Sequence, residues 1–190
     1  VLLAVVLIPT GHLFAAAVAI AIFTAFDLLD GTMARLQGQG TKFGATLDAS
    51  CDRITDAALF GAIAYWVVYG HGADSVLLVL TLVTMGSSQV ISYVKARAEA
   101  SGLKVNGGLV ERAERLIIGL VGVGLQGLGV EYALYVAMWL LALGSVFTVV
   151  QRLLMVAKQP GALDSIAPPE GATNGPRDKS RLASKSAGSA

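Results

Sequence analysis

Long apolar runs separated by short polar joints constrain this chain more than any other feature. They extend from Leu13 to Phe26, Ala57 to Val68, Ser75 to Val94, Leu116 to Val130 and Tyr132 to Val150, with a shorter run from Val1 to Ile8. Residues are 55% hydrophobic and 14% charged, against roughly 45–50% and about 25% in soluble domains, and the mean hydropathy is +0.68. The chain therefore reads as an all-α integral membrane protein. A full span takes about 20 residues, so several runs reach membrane length only by taking in the polar residues beside them. The pattern predicts helices over 1–9, 13–36, 44–69, 74–100, 110–128 and 131–156. That makes six transmembrane helices. The first is expected to be truncated, because its apolar run is short, starts at Val1 and lacks the flanks of a signal peptide.

The joints around Pro9-Thr10-Gly11, His71-Gly72-Ala73 and Gly127-Leu128-Gly129 carry no Lys or Arg, whereas those near 35–42, 95–115 and 152–158 are basic. All 14 basic residues fall on one side of this layout. The positive-inside rule makes that side cytoplasmic, in a multi-pass protein of the cell membrane. Residues 1–158 form the expected transmembrane domain. From 159 to 190 the composition shifts to Pro, Gly, Ser, Lys and Arg, the signature of a disordered cytoplasmic tail. A single cysteine, Cys51, excludes an intramolecular disulfide and a Cys-based zinc site, and is read as a small apolar helix residue. His12 and His71 are read as exposed loop histidines on the opposite side from the acids described next. Gly119, Gly122, Gly124 and Gly127 form a small-residue face suited either to a homodimer seam or to packing within one chain. The partner expected from composition is the lipid bilayer, with no nucleic acid.

Between the second and third helices stands Asp27-x-x-Asp30-Gly31-x-x-Ala34-Arg35, then eight residues, then Gly44-x-x-x-Asp48-x-x-x-Asp52. Ionised carboxylates at membrane depth cost a few kcal/mol or more each, so four of them need neutralising. Asp27 and Asp30 are three apart, Asp48 and Asp52 four apart, and each pair projects from one helical face. The glycines at 38, 40 and 44 keep the link small, letting two helices bring both pairs together. An all-oxygen ligand set selects a hard cation such as Mg2+, Mn2+ or Ca2+, with substrate phosphates commonly completing a Mg2+ shell. The alternative is that the acids pair with Arg35, Lys42 and Arg53. Asp56, four residues beyond Asp52, is expected to pair with Arg53 or Arg35.

These residues match every position of the signature of the CDP-alcohol phosphotransferase family, which the chain resembles over all but its tail and its start. Eight fixed positions at roughly one chance in twenty each make a coincidental match negligible. The resemblance implies six membrane helices, with an active site facing the cytoplasm between the second and third. It implies that Asp27, Asp30, Asp48 and Asp52 hold two Mg2+ ions, with Mn2+ as a substitute, and that Asp52 is also the general base. Gly31, Ala34, Arg35, Thr41, Gly44 and Asp48 would shape and contact the CDP-diacylglycerol donor. The reaction implied is substitution at the lipid-bearing phosphorus with release of CMP.

The acceptor is a separate question. Ser92, Lys95, Arg112, Arg115 and Arg152 lie at cytoplasmic helix ends, where they could converge beside the acids. Such cations suit an acceptor that itself bears a phosphate. The strings Lys95-Ala96-Arg97-Ala98-Glu99 and Glu111-Arg112-Ala113-Glu114-Arg115 are similar to the actinobacterial branch of the family that uses myo-inositol 3-phosphate and makes phosphatidylinositol phosphate. In that branch the positions of Ser92, Lys95, Arg115 and Arg152 bind the inositol phosphate. The same cations could instead serve topology or pair with Glu99, Glu111 or Glu114. A glycerol 3-phosphate acceptor, as in phosphatidylglycerophosphate synthase, is the competing enzyme reading. A membrane transporter is the competing non-enzyme reading, disfavoured because the acids cluster at one end and do not string across the bilayer.

Overall fold

The computed structural model describes residues 2–36, 41–105 and 107–164. The chain divides into two units, Val1–Gln159 and Pro160–Ala190, and all the regular structure below belongs to the first. Six helices follow in order among the described residues: α1 (Leu2–Leu7), α2 (Leu13–Leu36), α3 (Lys42–Tyr69), α4 (Ser75–Ala100), α5 (Arg112–Gly127) and α6 (Ala133–Ala157). There is no strand among the described residues. α4 and α6 are each long and apolar enough to cross a membrane.

Capping explains where the helices begin. Thr41 Oγ1 accepts from the Gly44 amide at 2.9 Å and starts α3 two residues before the apolar pattern begins. Asp74 accepts from the Val76 and Leu77 amides, both at 3.0 Å, to start α4. At α5 the Glu114 side chain accepts from the Glu111 amide at 3.0 Å, half of a capping box. Glu111 itself is extended, so α5 starts at Arg112 and not at 110, and the Val110 amide donates to Thr148 Oγ1 at 3.0 Å.

Adjacent packing forms a cycle in which α1 meets α2, α2 meets α5, α5 meets α6, α6 meets α4, α4 meets α3 and α3 returns to α1. The apolar core lies toward the end of the bundle that carries the Lys- and Arg-free joints. Ile8, Leu13 and Ala16 pack there with Leu59, Phe60, Ile63, Val67, Leu77, Val123, Leu134, Met138 and Leu141. Buried polar residues take over toward the basic end, where Asp56, Ser88, Arg115, Thr148 and Arg152 are all inside. Outward faces stay apolar, as at Val136, Leu140, Leu143, Phe147 and Leu154 of α6. Such a surface suits hydrocarbon better than water.

The glycines of α5 serve packing within the chain. A Cβ at Gly122 would collide with Ala137 of α6, one at Gly124 would lie 3.3 Å from the Ala17 Cβ of α2, and one at Gly127 would collide with the Leu13–Phe14 backbone. The small-residue face is thus occupied by α2 and α6, which decides between the two uses that the sequence left open for it. Gly122→Ala should therefore lower the thermal midpoint of the purified protein by several degrees, an overpacking cost of roughly 1–3 kcal/mol. Gly61→Ala, where a Cβ meets nothing within 4 Å, should leave it unchanged. Equal effects in a detergent melt would show that the α5–α6 approach is not tight.

Candidate active site

Asp48, Asp52 and Asp56 recur every four residues along α3 and so form one stripe. Burial deepens along it: Asp48 is exposed, the Asp52 side chain is 25% exposed and that of Asp56 only 2%. The acids of α2, Asp27 and Asp30, sit one turn apart toward the end of that helix which leads into α3. Their side chains lie outside the described residues, as do those of Gly31, Ala34 and Arg35 and the whole of 37–40, including Gly38 and Gly40. Among the described residues no three metal-capable donors come together. What is described fits a hard cation: two carboxylates on one helical face, accessible from solvent, with oxygen donors only.

Three guanidinium groups gather around the inner part of the stripe. Arg112 Nη2 stands 2.8 Å from Asp52 Oδ1, and its Nε is 3.6 Å from Asp56 Oδ1. Arg115, itself 2% exposed, places Nη2 3.3 Å from Asp56 Oδ2 and donates from Nη1 to the Val110 carbonyl at 3.3 Å. Arg53 reaches Asp56 only at 3.9 Å. Of the two partners expected from sequence, Arg53 is the most distant of the three and the side chain of Arg35 lies outside the described residues, while the closer pairings come from α5. The sequence signal was the four-residue step from Asp52 to Asp56; the facing helix was not visible from it.

Three guanidiniums thus crowd the inner two of the stripe's three carboxylates, and the Nε groups of Arg53, Arg112 and Arg115 donate no hydrogen bond among the described residues. Buried N–H groups without acceptors are uncommon and ask for an explanation. An anion arriving here would find unused donors.

The other residues marked for the acceptor have varied surroundings. Arg152, 5% exposed, donates from Nε to the Gly107 carbonyl at 3.1 Å and from Nη1 to the Ile91 carbonyl at 2.9 Å, and its Nη2 lies 3.6 Å from Glu111. The Ile91 contact sets it beside the backbone of Ser92, whose hydroxyl donates to the Ser88 carbonyl at 3.2 Å. Lys95 is half-exposed and 4.0 Å from Glu99. Ion pairing with Glu99 and Glu111 thus occurs for Lys95 and Arg152, whereas Arg112 and Arg115 turn to the Asp stripe.

Thr41 and Gly44, expected near the donor, also form the α3 cap, and a Cβ at Gly44 would stand 3.1 Å from Thr41 Oγ1. Cys51 is exposed on α3 and not buried among apolar side chains. His12 and His71 are exposed, the latter stacked on Trp66 with ring centroids 4.8 Å apart.

Sequence reasoning missed a set of side chains on α6 and just beyond its end. Gln159 Oε1 accepts from the Lys104 amide at 2.9 Å while its Nε2 donates to the Lys104 carbonyl, Gln151 accepts from the Leu109 amide at 3.2 Å, and Thr148 holds Val110. With Arg152 they fasten the α4–α5 connection to α6. Gly108 makes the approach possible, since a Cβ there would meet Thr148 Cγ2 at 2.7 Å. Glutamines and threonines near a helix end give no such signal in a sequence.

Residues 1–156 match the profile of the CDP-alcohol phosphatidyltransferase family. The chain belongs to that family and is an enzyme of its transferase type. Among its relatives, the phosphatidylinositol phosphate synthase of Corynebacterium glutamicum is 62% identical over 169 residues, spanning 89% of this chain and 77% of that one. That of Mycobacteroides abscessus is 55% identical over 165 residues, spanning 86% and 74%. Crystal structures of the Mycobacterium tuberculosis phosphatidylinositol phosphate synthase superpose closely at 52% identity. The form with CDP-DAG bound gives a TM-score of 0.81 over 87% of this chain and 84% of that one, and the complex with manganese and citrate gives 0.80 over 86% and 79%.

The burial of Arg115 against Asp56 has a thermodynamic consequence. Arg115→Ala leaves a carboxylate that is 1% exposed with only the longer contacts to Arg112 and Arg53, at a cost approaching the roughly 3–5 kcal/mol of breaking a buried pair. A loss of folded protein on heating well beyond that of Lys95→Ala is the expected result. Equal stability of the two variants would mean that Arg115 is not a buried partner.

Proposed function

We propose that this chain transfers the phosphatidyl group of CDP-diacylglycerol to a hydroxyl of myo-inositol 3-phosphate, giving phosphatidylinositol phosphate and CMP. The complete donor signature, the family membership and the names of relatives at 52–62% identity support the reading. The observation that carries it is the gathering of three guanidiniums at the inner end of the Asp stripe, with Arg112 on Asp52 at 2.8 Å. Cations for an anionic acceptor thereby adjoin the carboxylate proposed as base, and a neutral alcohol would have no use for them.

In this reading Asp27, Asp30, Asp48 and Asp52 hold two Mg2+ ions, for which Mn2+ substitutes. When bound, the metal supplies Lewis-acid stabilisation of the charge that develops on the departing CMP. Gly31, Ala34, Arg35, Thr41, Gly44 and Asp48 position the donor. Ser92, Lys95, Arg112, Arg115 and Arg152 receive the acceptor phosphate, with Arg152 and Arg115 working from fixed, buried places and Lys95 from an exposed one. Asp52 takes the proton of the attacking hydroxyl as the new oxygen–phosphorus bond forms and the bond to the CMP oxygen breaks.

All six helices are assigned to the bilayer of the cell membrane, with the basic end cytoplasmic. Tyr65, Trp66, Tyr69, Tyr132 and Tyr135 gather at the opposite helix ends, as interfacial aromatics do. The transmembrane domain is placed at 1–158 and the cytoplasmic tail at 159–190.

CMP release from CDP-diacylglycerol, measured with Mg2+ and a choice of acceptors, tests the assignment. Inositol 3-phosphate should support turnover and glycerol 3-phosphate should not, and Asp52→Asn should fall by about two to four orders of magnitude while still binding donor. The opposite acceptor preference would overturn the substrate, and near-normal activity of Asp52→Asn would remove its role as base.

A further inference from the structure

Arg112 and a divalent cation compete for Asp52 Oδ1. The guanidinium lies 2.8 Å from Asp52 Oδ1, where it competes for the oxygen lone pairs that a cation needs and repels the cation's charge. A second carboxylate is already within reach of the same guanidinium. Arg112 Nε and Asp56 Oδ1 are 3.6 Å apart, just beyond hydrogen-bonding distance, and neither has a hydrogen-bond partner among the described residues. A shift of well under an ångström would join them.

The two ends of this bridge differ in freedom. The Arg112 side chain is 36% exposed and stands on the first turn of α5, whereas Asp56 is 2% exposed and also held by Arg115 at 3.3 Å. The arginine can move; the carboxylate is fixed.

We propose that Asp56 is a positioning residue that takes Arg112 over from Asp52 when cations enter, keeping the guanidinium beside the site for the acceptor. At 2.8 Å, Arg112 is the counterion of Asp52. On loading, it slides onto Asp56 Oδ1, Asp52 turns to the cations, and the arginine's remaining N–H groups face the acceptor's phosphate. The exchange rests on the assignment of Asp52 to the metal site. By linkage, whatever strengthens the Arg112–Asp52 pair must weaken metal binding by the same factor.

Mn2+ binding to the whole purified chain, followed by calorimetry without donor or acceptor, reads this directly. Arg112→Ala should bind Mn2+ about five- to tenfold more tightly, the range expected for releasing a part-exposed ion pair. Asp56→Asn leaves Arg112 with Asp52 as its one carboxylate and should bind more weakly by a similar factor. Asp56→Glu, which keeps the charge, should stay close to the unmodified chain. The double variant Arg112→Ala/Asp56→Asn should return to the tight value of Arg112→Ala, because the arginine that Asp56 diverts is gone.

A double variant as weak as Asp56→Asn alone would make Asp56 merely structural and overturn the proposal. So would unchanged Mn2+ affinity in Arg112→Ala, a substitution on a part-exposed first turn that does not depend on the folding of any Asp56 variant. Failure of the unmodified chain to bind Mn2+ at all would overturn the metal-site reading and this proposal with it. Binding that is unaffected by Arg112→Ala overturns this proposal alone.

Discussion

A carboxylate that is 1% exposed must be neutralised where it stands, and Asp56 is neutralised by arginines of a different helix. Burying either ion alone costs several kcal/mol, so each side of the pair enforces the presence of the other. The pairing joins α3 to the first turn of α5 and fixes the rotation of both helices. Asp52, one turn outward on α3, then faces the same helix start. The arrangement of the basic end follows from this one contact. Its value lies in specifying geometry more than in net stability, since a buried ion pair often does no better than an apolar replacement of the same shape.

Fixing the start of α5 also fixes the connection that leads into it. Residues 101–105 and 107–111 lie beyond the regular hydrogen bonding of α4, and their amides and carbonyls must find partners elsewhere. Thr148, Gln151 and Arg152 of α6 and Gln159 just beyond its end supply them. The basic end of the bundle is therefore held by side-chain to backbone bonds, and the opposite end by apolar packing. A polar end of this kind can keep charged groups in place beside a substrate without filling the space with hydrocarbon.

The helices were legible from their apolar runs, so α2 was read at its observed limits and α4 within one residue. The starts of α3 and α5 were each missed by two residues because the caps at Thr41 and Glu111, not the runs, set them. The Asp signature was legible because its meaning lies in spacing along two consecutive helices. What could not be read was pairing between helices distant in sequence. Nothing local tells Arg115 to choose Asp56, 59 residues away, over Glu111 four residues away, because that choice depends on the rotation of α5. The glycine stripe was ambiguous for the same reason: small residues announce a close approach without saying to what, and the answer is α2 and α6.

Donor chemistry and acceptor chemistry meet at Asp52, the residue shared by the proposed cation site and the arginine cluster. The account stands on that acid cluster holding the metal. Anomalous diffraction at the manganese edge, from crystals of the whole chain soaked with Mn2+ and CDP-diacylglycerol, tests it most directly. The account predicts two peaks between α2 and α3, with Asp48 and Asp52 oxygens in the coordination shell at about 2.0–2.2 Å, typical of a small divalent cation. Peaks away from these acids, or none in crystals that hold the donor, would contradict it.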